Sequence, residues 1–131
     1  MTQWRSIKKA AQQAAKGDLV WTVAGTLSTG TTLGPVFQFP GNVRLKRAYA
    51  IVETAPTDAD LIVDINVGGT SIFGATKLVV DDAATEGSST TFATSVFTSI
   101  TANVTMDIDQ VGSTVAGADL TVVLEFEPII R

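Results

Sequence analysis

The stretch ADLIVDINVGGTSIF, residues 59–73, decides the fold. Leu61, Val63, Ile65 and Val67 alternate with Ile62, Asp64 and Asn66. A period of two marks a strand with one buried face. Gly68-Gly69 follows at once, and a Gly-Gly pair suits the positive φ angles of a tight hairpin. Ser71-Ile72-Phe73 then begins the return strand. A second stretch echoes the first: Val104, Met106 and Ile108 alternate with Thr105, Asp107 and Asp109, ahead of Val111-Gly112-Ser113-Thr114. Both stretches predict antiparallel sheet, and neither carries chemistry of its own.

Outward from these hairpins the same period recurs. Leu19, Trp21, Val23 and Leu27 alternate with Val20, Thr22, Ala24 and Thr26. Leu33–Phe39 reads as a strand with Phe37 and Phe39 on one face and Pro35 at an edge or bulge. Pro40-Gly41-Asn42 is a turn. In Val43–Glu53, Val43 and Leu45 share one parity and Ala48, Ala50 and Val52 the other, which predicts a bulge near Lys46-Arg47. The sheet continues from Phe73 to Val80, and residues 81–87 form an acidic loop. Phe92 and Val96 share a face of Thr90–Thr98, and Ile100 to Ile108 alternates without a break. In the last strand Ala118, Leu120, Val122, Leu124 and Phe126 point inward, with Asp119, Thr121, Glu125 and Glu127 outward. About eight strands joined by short turns, with no βαβ alternation, make an all-β antiparallel sandwich or barrel.

Residues 1–17 differ from this body. Trp4, Ile7, Ala11 and Ala14 are spaced three, four and three apart, a single helical stripe. Gly17 suits a helix C-terminus. A helix this short is marginal alone in water and gains order by docking. The segment holds Arg5, Lys8, Lys9 and Lys16 and no acid, a charge of +4; the five remaining bases and thirteen acids carry −8, so the net charge is −4. A basic arm, 1–17, thus precedes an acidic β-domain, 18–131. Trp4, Arg5, Ile7, Lys8, Lys9 and Ala11 are the candidate partner-binding residues, and an acidic protein surface is the electrostatic match.

Composition narrows the chemistry. The chain of 131 residues has neither Cys nor His. That removes disulfides, thiolate nucleophiles and Cys-ligated zinc, as well as the usual general base near neutral pH. Ser-His-Asp and Cys-His arrangements are impossible within the chain. No catalytic residue and no cofactor is expected. Asp64/Asn66 and Asp107/Asp109 have the oxygen chemistry of calcium ligands. Strand alternation already accounts for them and no twelve-residue calcium loop is present, so no metal site is expected. Gly68-Gly69 and Gly112 lack the Lys-Ser/Thr and following helix of a phosphate loop. The acidic body would repel a nucleic acid. There is no apolar run long enough for a transmembrane helix, and no apolar signal segment follows the N-terminus.

Ile62, Val123 and Ile129-Ile130 are apolar where a one-sided strand should be polar, a patch of the kind that marks an interface. A homo-oligomer is expected. Phe73 and Tyr49, the aromatics a receptor or glycan site would use, stand at core-like parity.

The residues from about Thr26 to Phe126 resemble a jelly-roll module of tailed-bacteriophage virion proteins. APTDADLIVDINVGGTSIF and MDIDQVGSTVAGADLTV carry most of the resemblance. It implies an eight-stranded β-sandwich of jelly-roll type. It also implies a non-enzymatic structural role in the virion, assembled in the host cytoplasm, as a head decoration protein or a tail or fibre-tip component. It further implies a homo-oligomer, taken as a trimer, that binds viral shell or tail subunits. A short arm in place of a long leading segment favours the shell-bound accessory role. A carbohydrate-binding module is the alternative reading outside that family.

Overall fold

The structure is a computed structural model, and residues 17–129 are described. The expected helical arm, with Trp4, Arg5, Ile7, Lys8, Lys9 and Ala11, lies outside the described residues, as does Ile130. Among the described residues there is no helix, and the strand segments in order are β1 (Gly17–Thr26), β2 (Val43–Thr54), β3 (Leu61–Val67), β4 (Thr70–Ser71), β5 (Leu78–Val80), β6 (Glu86–Ser89), β7 (Val96–Phe97), β8 (Val104–Gln110) and β9 (Ala118–Pro128). All pair antiparallel.

They form two sheets packed face to face as a β-sandwich. In the first, β9 lies between β1 and β2, while β6 and β7 share the far edge of β2. In the second, β3 has β8 on one edge and β4 and β5 on the other. Trp21, Leu45, Ala50, Val122 and Leu124 of the first sheet meet Leu61, Ile65, Met106 and Val80 of the second in one continuous apolar core. Such burial is the main favourable term in folding, about 1.5–3 kcal/mol for each large aliphatic side chain. Trp21 is fully buried, and its ring nitrogen donates to the Pro35 carbonyl at 2.9 Å, so its one polar atom is satisfied.

The hairpin after β3 forms as read: Gly68 and Gly69 have φ of 60° and 85°, both positive as a type I′ turn requires. The bulge in β2 also falls where parity changes, with the register to β9 shifting between Leu45 and Arg47. Gly17 opens β1 opposite Phe126.

Three segments depart from expectation. Leu33–Phe39 is not a strand. Isolated bridges, Gly30 to Ile108 and Phe37 to Val104, together with a hydrogen bond from the Leu33 N–H to the Met106 carbonyl at 2.8 Å, tie this part of the chain to β8 without a continuous ladder. Positive φ at Thr32 and Gly34 breaks the extended backbone, and Pro35 has no N–H to donate. Thr90–Thr98 contributes only the two residues of β7. The alternation from Ile100 carries no ladder before Val104, because Val104 faces Val67, the last residue of β3. Ile100 is instead 52% exposed. After the hairpin, residues 74–77 turn before β5 resumes the sheet, and β6 begins inside the expected acidic loop. The described residues thus hold nine strand segments, where about eight were expected.

Candidate functional site

The outer face of the first sheet carries a surface built by register. Val20, Val123, Tyr49 and Ser88 stand side by side across β1, β9, β2 and β6. Thr22, Thr121, Ile51 and Glu86 form the next row, and Asp18, Glu125 and Arg47 flank the first on its other side. Val123 at the centre is buried, whereas Val20 and Ile51 are 42% and 44% exposed. Among the described residues, the patch expected from Ile62, Val123 and Ile129-Ile130 does not form as such: Val123 is buried and Ile129 half-buried, and the open apolar surface of this face comes from Val20 and Ile51. Ile62, on the other sheet, is half-buried.

Tyr49 corrects the expected parity. Its neighbours Ala48 and Ala50 are fully buried, so its ring points outward, with the Arg47 guanidinium 4.3 Å from the ring centroid. A depression of about 430 Å³ opens beside it, with Arg47, Ile51, Glu86 and Ser88 in its wall. Ile51 also borders a second depression of about 430 Å³, shared with Thr22, Glu53 and Asp119.

Charge on this face is uneven. Arg47 pairs with Glu125 at 3.0 Å, and Glu127 lies 3.6 Å from Lys46 and 4.0 Å from Arg44. Among the described residues, Asp18, Glu53, Glu86 and Asp119 have no basic partner. Asp119 instead accepts a hydrogen bond from the Gly25 backbone at 2.7 Å. The face thus presents an apolar row inside an acidic margin.

The second sheet holds the acids singled out above. Asp64 and Asp107 stand directly opposite on β3 and β8, and one oxygen each of Asp64, Asp107 and Asp109 lies within a 4.8 Å group. Asp64 is 5% exposed rather than on an open polar face. The Lys77 ammonium occupies the cluster, 2.6 Å from Asp109 Oδ2 and 3.1 Å from Asp64 Oδ2. The Ser71 hydroxyl donates to Asp64 at 2.6 Å. Asp107 accepts from the Asn66 amide at 3.0 Å and from the Thr32 backbone at 2.8 Å. The Lys77 pKa is raised, first by its hydrogen bond to Asp109, with Asp64 adding to that against a smaller opposing effect of burial. A lysine here does electrostatically what a bound cation would do. Sequence reading missed Lys77, and the available signal was that it is the one basic residue between Arg47 and Arg131.

Phe73 is buried and stacks on Phe92 with centroids 5.9 Å apart, so it belongs to the core. Comparison of the chain with protein-family models, with curated proteins and with solved structures finds no match.

Proposed function

We propose that the protein is a non-enzymatic structural component of a tailed-bacteriophage virion, a decoration protein that cements an assembled shell. The fold reading behind it is a jelly roll, and the observation that carries it is the nesting of the strand pairs. About the turn at Thr70, β3 pairs with β5, β2 with β6, the segment around Gly30 and Phe37 with β8, and β1 with β9. That is one long folded ribbon. The ribbon then wraps so that β9 also pairs with β2 and β8 with β3. Such a double-sheet wrap supports a jelly-roll reading, a form used by capsid and lectin domains. The resemblance of APTDADLIVDINVGGTSIF and MDIDQVGSTVAGADLTV to phage modules selects the virion among these.

Cementing is a linkage effect. A subunit that binds only assembled neighbours adds its binding free energy to the assembled state alone. The arm residues Trp4, Arg5, Ile7, Lys8, Lys9 and Ala11 are the proposed attachment to acidic shell subunits. The protein acts as a homotrimer, without cofactor, and resides in the virion. The test is sedimentation of the purified protein with assembled shells and with free shell subunits of its phage. Binding to shells alone is expected; equal binding to free subunits would overturn cementing, and cryo-microscopy of the virion would locate the subunit.

One observation favours a second reading, a tail-tip or carbohydrate-binding role. Arg47 and half-buried Tyr49 border an open depression together with Glu86 and Ser88, and an aromatic beside a carboxylate in a concave site suits a sugar. A glycan array distinguishes the two, since a cementing protein should give no selective signal.

A further inference from the structure

We propose that residues 1–16 rest on the outer face of the first sheet of their own chain, with the Trp4/Ile7/Ala11/Ala14 stripe along the Val20–Val123–Tyr49 row. This describes the free subunit and does not depend on the shell reading; attachment to a shell through the same residues would require the arm to leave this face.

Four observations converge. The first is where the segment starts. Gly17 opens β1, the edge strand of that sheet, at the end where Arg44 and Glu127 pair. The segment therefore leaves the body at the margin of the face.

The second is reach. As a helix, the stripe from Trp4 to Ala14 would be about 15 Å long. The row from Val20 to Ser88 crosses β1, β9, β2 and β6, three strand spacings or about 14 Å. The lengths agree.

The third is apolar chemistry. Val20 and Ile51 leave over two-fifths of their surface open on either side of buried Val123. A short amphipathic helix needs such a surface to be ordered.

The fourth is charge. The segment carries Arg5, Lys8, Lys9 and Lys16 with no acid, and the margin of the face holds Asp18, Glu53, Glu86 and Asp119 without basic partners among the described residues. Covalent connection favours the chain's own face, because a short tether gives an effective concentration of about millimolar.

The absence of native cysteine makes a clean test. In the full chain, Ile7→Cys is paired in turn with Tyr49→Cys, with Ile51→Cys, and with Thr76→Cys beside the second sheet as control. Under mild oxidation the first two pairs should form intramolecular disulfides at least about tenfold faster than the control. Equal rates for all three would overturn the proposal. A faster reaction that yields a linked dimer would also overturn it, assigning the face to a second copy. A second measurement needs no cross-link. Trypsin should cut the arm of Ile51→Asp about tenfold faster than that of the parent chain, with circular dichroism of the β-domain unchanged. Cutting at the parent rate would overturn the proposal as well.

Discussion

The Lys77 ammonium lies 2.6 Å from Asp109 Oδ2, and this contact holds together a cluster that would otherwise be self-repelling. Asp64 and Asp107 face each other across β3 and β8, and like charges directly opposite destabilise a sheet. Lys77 also reaches Asp64 at 3.1 Å. Removing it as Lys77→Met leaves a buried acceptor without its charged donor, a cost of about 1–3 kcal/mol. Urea unfolding should show that loss, with Asp109→Asn losing less because Asp109 is exposed.

The same contact sets a pH dependence. The folded pKa of Lys77 is raised, chiefly by Asp109, above an unfolded value of about 10.4. The group's stabilisation is therefore fully present below the unfolded pKa and lost as pH rises through the folded one. The stability gap between the parent chain and Lys77→Met should be constant from neutrality to about pH 10 and close above it. A gap that persisted unchanged well above that range would remove the ion pair as its cause.

A strong chelator should leave the thermal midpoint unchanged. Lys77 supplies the positive charge among Asp64, Asp107 and Asp109, and a calcium ion would have to displace it. A fall of many degrees on chelation would show that an acid cluster binds metal.

Gly87 marks where β6 passes over β5. A Cβ there would lie 1.9 Å from the Val79 carbonyl oxygen and 2.8 Å from its carbon, both backbone atoms. Gly87→Ala must push the strands apart and should cost about 3 kcal/mol, at the upper end for overpacking. Gly41→Ala is the control, since a Cβ there meets nothing within 4 Å; it should stay within about 0.5 kcal/mol. Equal effects in denaturant titrations would contradict the steric account.

Alternation made much of this fold legible, and its failures have identifiable causes. The faces of Leu61–Val67 and of the last strand follow from hydrophobic period alone. So does the bulge after Leu45, because apolar parity changes there. That same bulge explains the misreading of Tyr49, which shares odd numbering with inward Val43 and Leu45 but lies beyond the switch. Strand length is another matter, since it is set by partners. Residues 100–103 alternate well yet have no ladder, because β3 has ended. The burial of Asp64 depends on Ser71 and Lys77, brought over it by the return of the chain through β4 and the turn after it. Spacing within one strand carries no trace of that.

Deleting residues 1–16 should leave the sandwich folded. The cut belongs before Gly17, because that residue pairs with Phe126 in β1. The β circular-dichroism signal should persist, with attachment to shells lost. Loss of the β signal would make the arm part of the folding unit.

The isolated protein should be a trimer. Two strongly exposed aliphatics, Val36 at 48% and Ile100 at 52%, lie on loop segments that touch each other. The Gln38 amide donates to the Thr101 carbonyl at 3.2 Å, and Phe37 bridges to Val104 nearby. Apolar residues gathered at one end of a sandwich suit a rotation-symmetric contact, and they leave the outer face of the first sheet open for the arm. Symmetry alone favours a dimer as the commonest closed state; the number three comes only from the proposed virion role. Light scattering behind a sizing column should give the trimer mass at tens of micromolar. Val36→Asp with Ile100→Asp places like charges in the contact and should yield monomers without changing the circular dichroism. A parent chain that runs as a monomer would end the oligomer reading. A dimer would end only the choice of three, and a double variant that stays trimeric would move the contact to another surface.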